Sequence, residues 1–230
     1  MKIALAQTNP TIGAFQENID KIRTMADRAK DEDCDLIIFS ELIISGYPPM
    51  DLLDRPDFVD ENIRYLHKLI ASIEKIGVIC GFVAKNPDKN ENPLYNSAAL
   101  FENGRILHQT QKRLLPNYDV FDENRYFRPG QRASAFAYRG HKLGITICED
   151  IWNDEDLYPR LVFARRLYPV DPVADIIQSG ADLIINISSS PYWMGKRAAK
   201  HEMLSRLAKK YAVPLIYVNQ TGGNDSLLFD

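Results

Sequence analysis

Asn103-Gly104, set between two apolar runs, constrains the fold of this chain more than any other dipeptide in it. Tyr95-Asn96-Ser97-Ala98-Ala99-Leu100-Phe101 precedes the pair and Arg105-Ile106-Leu107-His108 follows it. A two-residue type I′ turn needs positive φ at both central positions, which asparagine and glycine tolerate, so the pair predicts a β-hairpin. Antiparallel strands therefore enter a chain whose other segments alternate between strand-like and helix-like patterns. That excludes a purely parallel, doubly wound sheet. One mixed α/β domain is the expectation.

The flanking segments follow the two periodicities. Met1–Gln7 reads as a first buried strand, and Phe15, Ile19, Ile22, Ala26 and Ala29 recur at steps of three and four, one face of a helix. Cys34–Phe39 reads as a buried strand. A helix over Phe58–Ile76 turns Ile63, Leu66, Leu69, Ile70 and Ile73 inward, before a strand at Gly77–Val83. A loop rich in Pro, Asn, Asp and aromatics fills 113–130, and a loop that long is more often functional than idle. Ala135–Tyr138, an Arg139-Gly140 turn and a strand ending at Cys148 come next. Leu183–Ile187 is another strand, Leu204, Leu207, Ala208 and Tyr211 mark a helix, and Val213–Val218 closes the series.

Composition removes several functions. The 230 residues carry a formal net charge of −3 with no dense basic run, which argues against nucleic acid as a partner. No apolar stretch approaches the roughly 18 residues a spanning helix needs, so no membrane is expected. Three cysteines without clustered spacing argue against a disulfide framework and for a reducing, cytoplasmic setting.

Three apolar runs end on reactive side chains. Leu36–Ser40 ends on Glu41, Ile106–Gln111 on Lys112, and Gly144–Ile147 on Cys148. A thiol, a base and a cation at strand ends are the ingredients of covalent acyl transfer. A lone strand cysteine is more often a packing residue, and Cys34 and Cys80 fit that reading. Cys148 differs because Glu149 and Asp150 follow at once; carboxylates are rarely buried, so the strand is expected to leave the core there. A cysteine nucleophile usually has a histidine beside it. His67 and His201 fall in helical patterns, His108 in a strand and His141 in a turn, so a papain-like pair has little support. Glu41 as general base and Lys112 as the cation that stabilises thiolate and oxyanion supply the alternative.

Phe39-Ser40-Glu41-Leu42-Ile43-Ile44-Ser45-Gly46-Tyr47-Pro48-Pro49, Lys112-Arg113-Leu114-Leu115-Pro116-Asn117-Tyr118 and Cys148-Glu149-Asp150-Ile151-Trp152 resemble the Glu-Lys-Cys signature of the nitrilase, or carbon–nitrogen hydrolase, superfamily. Within it, Leu115–Glu123 with Arg125-Tyr126-Phe127, Asp51-Leu52-Leu53 and Val218–Asp225 are similar to the glutaminase domains of glutamine-dependent NAD synthetases. The resemblance runs through essentially the whole chain. It implies an αββα sandwich of two mixed sheets, with Glu41 as base, Lys112 as oxyanion stabiliser and Cys148 as nucleophile. Glu123 would position the lysine, and the backbone N–H of Glu149 would complete the oxyanion hole. Tyr118, Ser190 and Lys196 would contact glutamine, with Arg197 an alternative to Lys196. Ser40 stands where many relatives have proline.

The same resemblance implies a hydrolase domain over residues 1–230, cut short at its C-terminal end and lacking the synthetase module. ATP and magnesium belong to that module; no cofactor or metal is expected in this domain. Gly222-Gly223-Asn224 does not continue into a helix with the serines of an ATP-pyrophosphatase loop. Glutamine, the synthetase module and further copies of the chain in a homo-oligomer are the implied partners. A stand-alone amidase or nitrilase, and a non-catalytic interaction domain of the same fold, remain the alternatives.

Overall fold

The computed structural model describes residues 1–88, 92–153 and 168–230. Its first sheet has the order β1-β2-β3-β4-β5. In it β1 (Ile3–Leu5), β2 (Leu36–Ile38) and β3 (Gly77–Lys85) run parallel, and β4 (Leu94–Glu102) and β5 (Arg105–Gln111) add antiparallel. In the second sheet β6 (Phe136–Tyr138) pairs antiparallel with β7 (His141–Ile147), followed in parallel by β8 (Leu183–Ser188) and β9 (Leu215–Asn219). A separate hairpin joins β10 (Gly222–Asn224) to β11 (Leu227–Phe229).

Side-chain alternation along each strand assigns the layers. Leu36, Ile38 and Ile79 of the first sheet pack with Ile145, Ile147, Ile185 and Ile187 of the second. The intervening residues Ile37, Val78 and Cys80 meet Ile19 and Ile22 of α1 (Phe15–Asp31) and Leu66 and Leu69 of α2 (Pro56–Ser72). On the far side, Ile184 packs with Val173 of α3 (Pro172–Gln178) and with Met203 and Leu207 of α4 (Lys196–Tyr211). The result is the expected αββα sandwich. Strands covered on both faces need apolar residues at every position, so they read as unbroken hydrophobic runs. Asn103 and Gly104 take φ of 50° and 74°, and Arg139 and Gly140 take 47° and 81°. Both turns are those read from the sequence.

Four expectations need correction. β1 is an edge strand rather than a buried one, because among the described residues no strand pairs with its outer side and Leu5 is 53% exposed. The inner face of α4 carries Lys196, Lys200 and Met203 beside Leu207, while Leu204, Ala208 and Tyr211 are only half-buried. His141 opens β7, at the end remote from Cys148. Glu149 and Asp150 are each 3% exposed, so the chain does not leave the core after β7. Their charges are met by hydrogen-bond donors, the usual condition for burying a carboxylate.

Strand direction gathers the candidate residues. Two antiparallel steps separate β5 from β3, so β5 runs the same way as β2 and β3. Glu41 after β2 and Lys112 after β5 therefore lie at one edge of the first sheet. Cys148 after β7 and Ser189-Ser190 after β8 lie together at one edge of the second. The two edges meet where the Ser189 N–H donates to Glu41 Oε2 at 2.8 Å and the Ser189 hydroxyl donates to the Glu41 carbonyl at 3.0 Å.

Candidate active site

Glu41 and Lys112 have fully buried side chains. The Lys112 ammonium donates to Glu41 Oε1 at 2.8 Å and to Glu123 Oε1 at 2.8 Å. Asn96 Nδ2 donates to the same Glu41 oxygen at 2.7 Å, and the Tyr47 hydroxyl donates to Glu123 Oε1 at 3.2 Å. Burial pulls the Lys112 ammonium down, but the Glu123 and Glu41 carboxylates outweigh it and hold the group well above the usual lysine range. Burial pushes Glu123 up against the opposing pull of Lys112. A buried cation between two carboxylates is stable only while all three groups keep their partners.

Cys148 follows β7 directly with φ at 44°, a left-handed conformation uncommon for a residue with a Cβ. Such backbone strain persists where the surroundings over-determine it, often at functional sites. Burial, then the Glu41 charge, push the Cys148 thiol up, while the Lys112 charge and the nearby Ser188 hydroxyl pull it down. The balance keeps it a neutral thiol at rest. A nucleophile in this state needs a base to take its proton.

A cavity of about 370 Å³ opens over Cys148 and is lined by Tyr118, Glu149, Trp152, Ser190, Trp193 and Lys196 among others. The Tyr118 hydroxyl lies 2.9 Å from both Glu149 carboxylate oxygens, and the Tyr168 hydroxyl donates to Glu149 Oε1 at 3.1 Å. Burial raises Glu149, opposed by Lys112 and by these two hydroxyls. The Lys196 ammonium donates to the Pro191 carbonyl at 2.6 Å, and burial lowers its pKa. Arg197 is exposed, which leaves Lys196 as the basic group of the cavity wall at this turn. A pocket lined by the acidic side chains of Asp119 and Glu149 and the basic Lys196, beside a thiol, suits a small zwitterion with a reactive carbonyl.

All eight residues named from the sequence thus fall in one region: Glu41, Lys112 and Glu123 in the buried charge cluster, and Cys148, Glu149, Tyr118, Ser190 and Lys196 around the cavity. A family model described as carbon-nitrogen hydrolase matches residues 2–162. The chain belongs to the carbon–nitrogen hydrolase family. Over 99% of its length it is 44% identical to the glutamine-dependent NAD(+) synthetase of Synechocystis sp., covering 41% of that protein. The solved glutamine-dependent NAD+ synthetase of Acinetobacter baumannii superposes with a TM-score of 0.86 at 38% identity, over 99% of this chain and 40% of that one. An amidase from Nesterenkonia sp. AN1 shares the fold, with a TM-score of 0.80 at 22% identity, over 100% of this chain and 80% of that one. The chain spans about two-fifths of the length of the synthetases it matches.

As a carbon–nitrogen hydrolase, the chain holds its charge cluster with groups the sequence did not mark. Asn96 and Tyr47 lie in patterns that read as strand and turn, and Ser189 engages Glu41 through its backbone N–H. The polar pair Asn96-Ser97 inside the buried strand β4 was the one available signal. Tyr168 lies between the Cys148 motif and Ser190, outside every motif, and had none.

Proposed function

We propose that this domain hydrolyses the side-chain amide of glutamine through a cysteine thioester. Glu41 takes the Cys148 proton as the sulfur attacks the amide carbonyl. The Lys112 ammonium and the Glu149 backbone N–H stabilise the oxyanion. As the tetrahedral intermediate collapses, the C–N bond breaks and the nitrogen leaves as ammonia, taking the proton from Glu41. Water, deprotonated by Glu41, then cleaves the γ-glutamyl thioester and returns glutamate and the free thiol. Glu123 orients Lys112. Tyr118, Ser190 and Lys196, with the Glu149 carboxylate, hold the amino-acid end of the substrate.

The observation that carries this reading is the Lys112 ammonium, bonded to Glu41 beside a cavity lined by Cys148, Glu149 and Lys196. In a whole protein like the relatives, the ammonia would amidate deamido-NAD at a synthetase module, which would have its own ATP and magnesium sites. Gly222–Asn224 here is a strand of a two-stranded hairpin, not a loop opening a helix, and does not fit a phosphate cradle. We read the protein as cytoplasmic and homo-oligomeric in its full form. Among the described residues no helix is long and apolar enough to cross a membrane.

Ammonia release from glutamine, compared with release from asparagine and short ω-amides, tests the proposal. Glutamine is expected to be preferred, and Cys148→Ala to lower turnover by roughly a thousandfold or more while the fold is retained. Equal or faster turnover of the short amides would support the stand-alone amidase reading instead. A γ-glutamyl adduct trapped on Cys148 and seen by mass spectrometry would identify the thioester.

A further inference from the structure

Asp150 is buried, takes no part in the chemistry above, and accepts more backbone hydrogen bonds than a turn residue needs. Its Oδ2 accepts the Ile147 N–H at 3.0 Å, a local bond across the turn that carries Cys148. Its Oδ1 accepts the N–H groups of Arg113 at 3.0 Å and Leu114 at 2.9 Å. The local bond alone would be an ordinary cap. The other two come from the loop that follows β5 of the opposite sheet.

The positions of the donors matter more than their number. Ile147 directly precedes Cys148 at the end of β7, and Arg113 and Leu114 directly follow Lys112 at the end of β5. One carboxylate therefore joins the backbone on either side of the gap between the thiol and the ammonium. On its other side the Lys112 backbone is already held, its N–H donating to the Asn96 carbonyl at 2.8 Å. The left-handed Cys148 conformation needs such an external hold, because nothing in the residue itself favours it.

We propose that Asp150 is a positioning residue, whose carboxylate clamps the cysteine turn to the lysine segment and so sets the placement of the Cys148 sulfur against the Lys112 ammonium. The inference rests on the roles given to Cys148 and Lys112 under Proposed function. Only a carboxylate satisfies the arrangement, since its two oxygens accept all three donors and present none of their own. An asparagine of equal volume has one oxygen. Turned toward Arg113 and Leu114, its amino group faces the Ile147 N–H; turned the other way, it faces two donors. Asp150→Asn thus separates a clamp from a space-filling role.

The test follows iodoacetamide alkylation of Cys148 by mass spectrometry in the intact wild-type protein and in Asp150→Asn, with thermal unfolding and glutamine kinetics alongside. The clamp predicts a folded variant in which Cys148 alkylation and kcat each fall at least about tenfold while KM stays within about threefold. Wild-type alkylation and kcat in Asp150→Asn overturn the proposal. So does a raised KM with kcat unchanged, which would make Asp150 a part of the substrate pocket. If the wild-type protein releases no ammonia from glutamine, the glutamine reading fails, and the alkylation comparison still decides the role of Asp150. Should Asp150→Asn not fold, amide hydrogen exchange in the wild-type protein decides. The clamp expects Ile147, Arg113 and Leu114 to be protected together; exchange of Arg113 and Leu114 at exposed-loop rates overturns it.

Discussion

Gly81 of β3 passes so close to Glu41 that a Cβ built on it would stand 2.7 Å from the Glu41 Cα and 2.2 Å from the nitrogen of Leu42. Its own N–H donates to the Ser40 carbonyl at 3.1 Å, so the strand and the Glu41 segment lie backbone to backbone. No side chain fits between them. Leu42, immediately after Glu41, has φ at 46° and follows the same tight path.

Gly81→Ala is therefore expected to move the Glu41 backbone. Turnover should fall by about tenfold or more, because small displacements of a reacting group are costly. Overpacking should destabilise the fold by about 1–3 kcal/mol. Kinetics and urea unfolding of the one variant read both effects, and wild-type turnover would show that the carboxylate does not depend on this contact.

Gly104→Ala is the contrasting case. A Cβ there meets nothing within 4 Å, and only the φ of 74° opposes it. A loss of about 1 kcal/mol in unfolding free energy with unchanged turnover is expected. Any larger effect would mean that the β4–β5 turn contributes to the site.

Lys112→Met removes the cation from between Glu41 and Glu123, whose side chains are 0% and 6% exposed. Stability should drop by about 3–5 kcal/mol, since a buried carboxylate is left without its counter-charge. Adding Glu123→Gln to Lys112→Met should recover part of that loss, as one uncompensated charge disappears. Chemical denaturation of the single and double variants measures the coupling. Additive losses would deny it.

The buried thiol predicts a specific alkaline behaviour. Burial and the Glu41 charge raise Cys148 above the ordinary thiol value of 9.0, the value it regains on unfolding. A group whose folded pKa is raised contributes stability that is whole below the unfolded pKa and is lost as pH rises toward the folded one. The stability of Cys148→Ala relative to wild type should accordingly be flat from about pH 6 to 8. It should then rise above about pH 9, by at most about 1.4 kcal/mol per pH unit. Urea unfolding at neutral and alkaline pH reads the difference. Thiolate absorbance at neutral pH, absent from Cys148→Ala, would contradict it.

Much of the architecture was legible because its signals are local. The Asn103-Gly104 and Arg139-Gly140 turns depend on the φ values those residues tolerate, and α1 on a stripe that Phe15, Ile19, Ile22, Ala26 and Ala29 do bury. The errors arose where a neighbour distant in sequence overrides local chemistry. Glu149 and Asp150 looked like surface charges because the hydroxyls of Tyr118 and Tyr168 and the amides of Arg113 and Leu114 lie 19 to 37 residues away along the chain. Lys200 broke the expected apolar face of α4 for the same reason, since the distant Asp230 carboxylate receives it, whereas Lys196 is received by the Pro191 carbonyl of the adjoining turn.

Residue order along the chain established which strands lead to Glu41, Lys112 and Cys148, since each residue follows its strand within three positions. The family, too, could be read from those motifs. How the three ends stand to one another was settled by packing: β5 returns to the direction of β2 through two antiparallel steps, and the sheets close face to face. Only that closure puts the Ser189 N–H on Glu41 and the Asp150 carboxylate under the lysine segment. Hydrogen bonds formed through space between distant segments leave no periodicity in the sequence, and those bonds hold the charges that the local pattern had assigned to solvent.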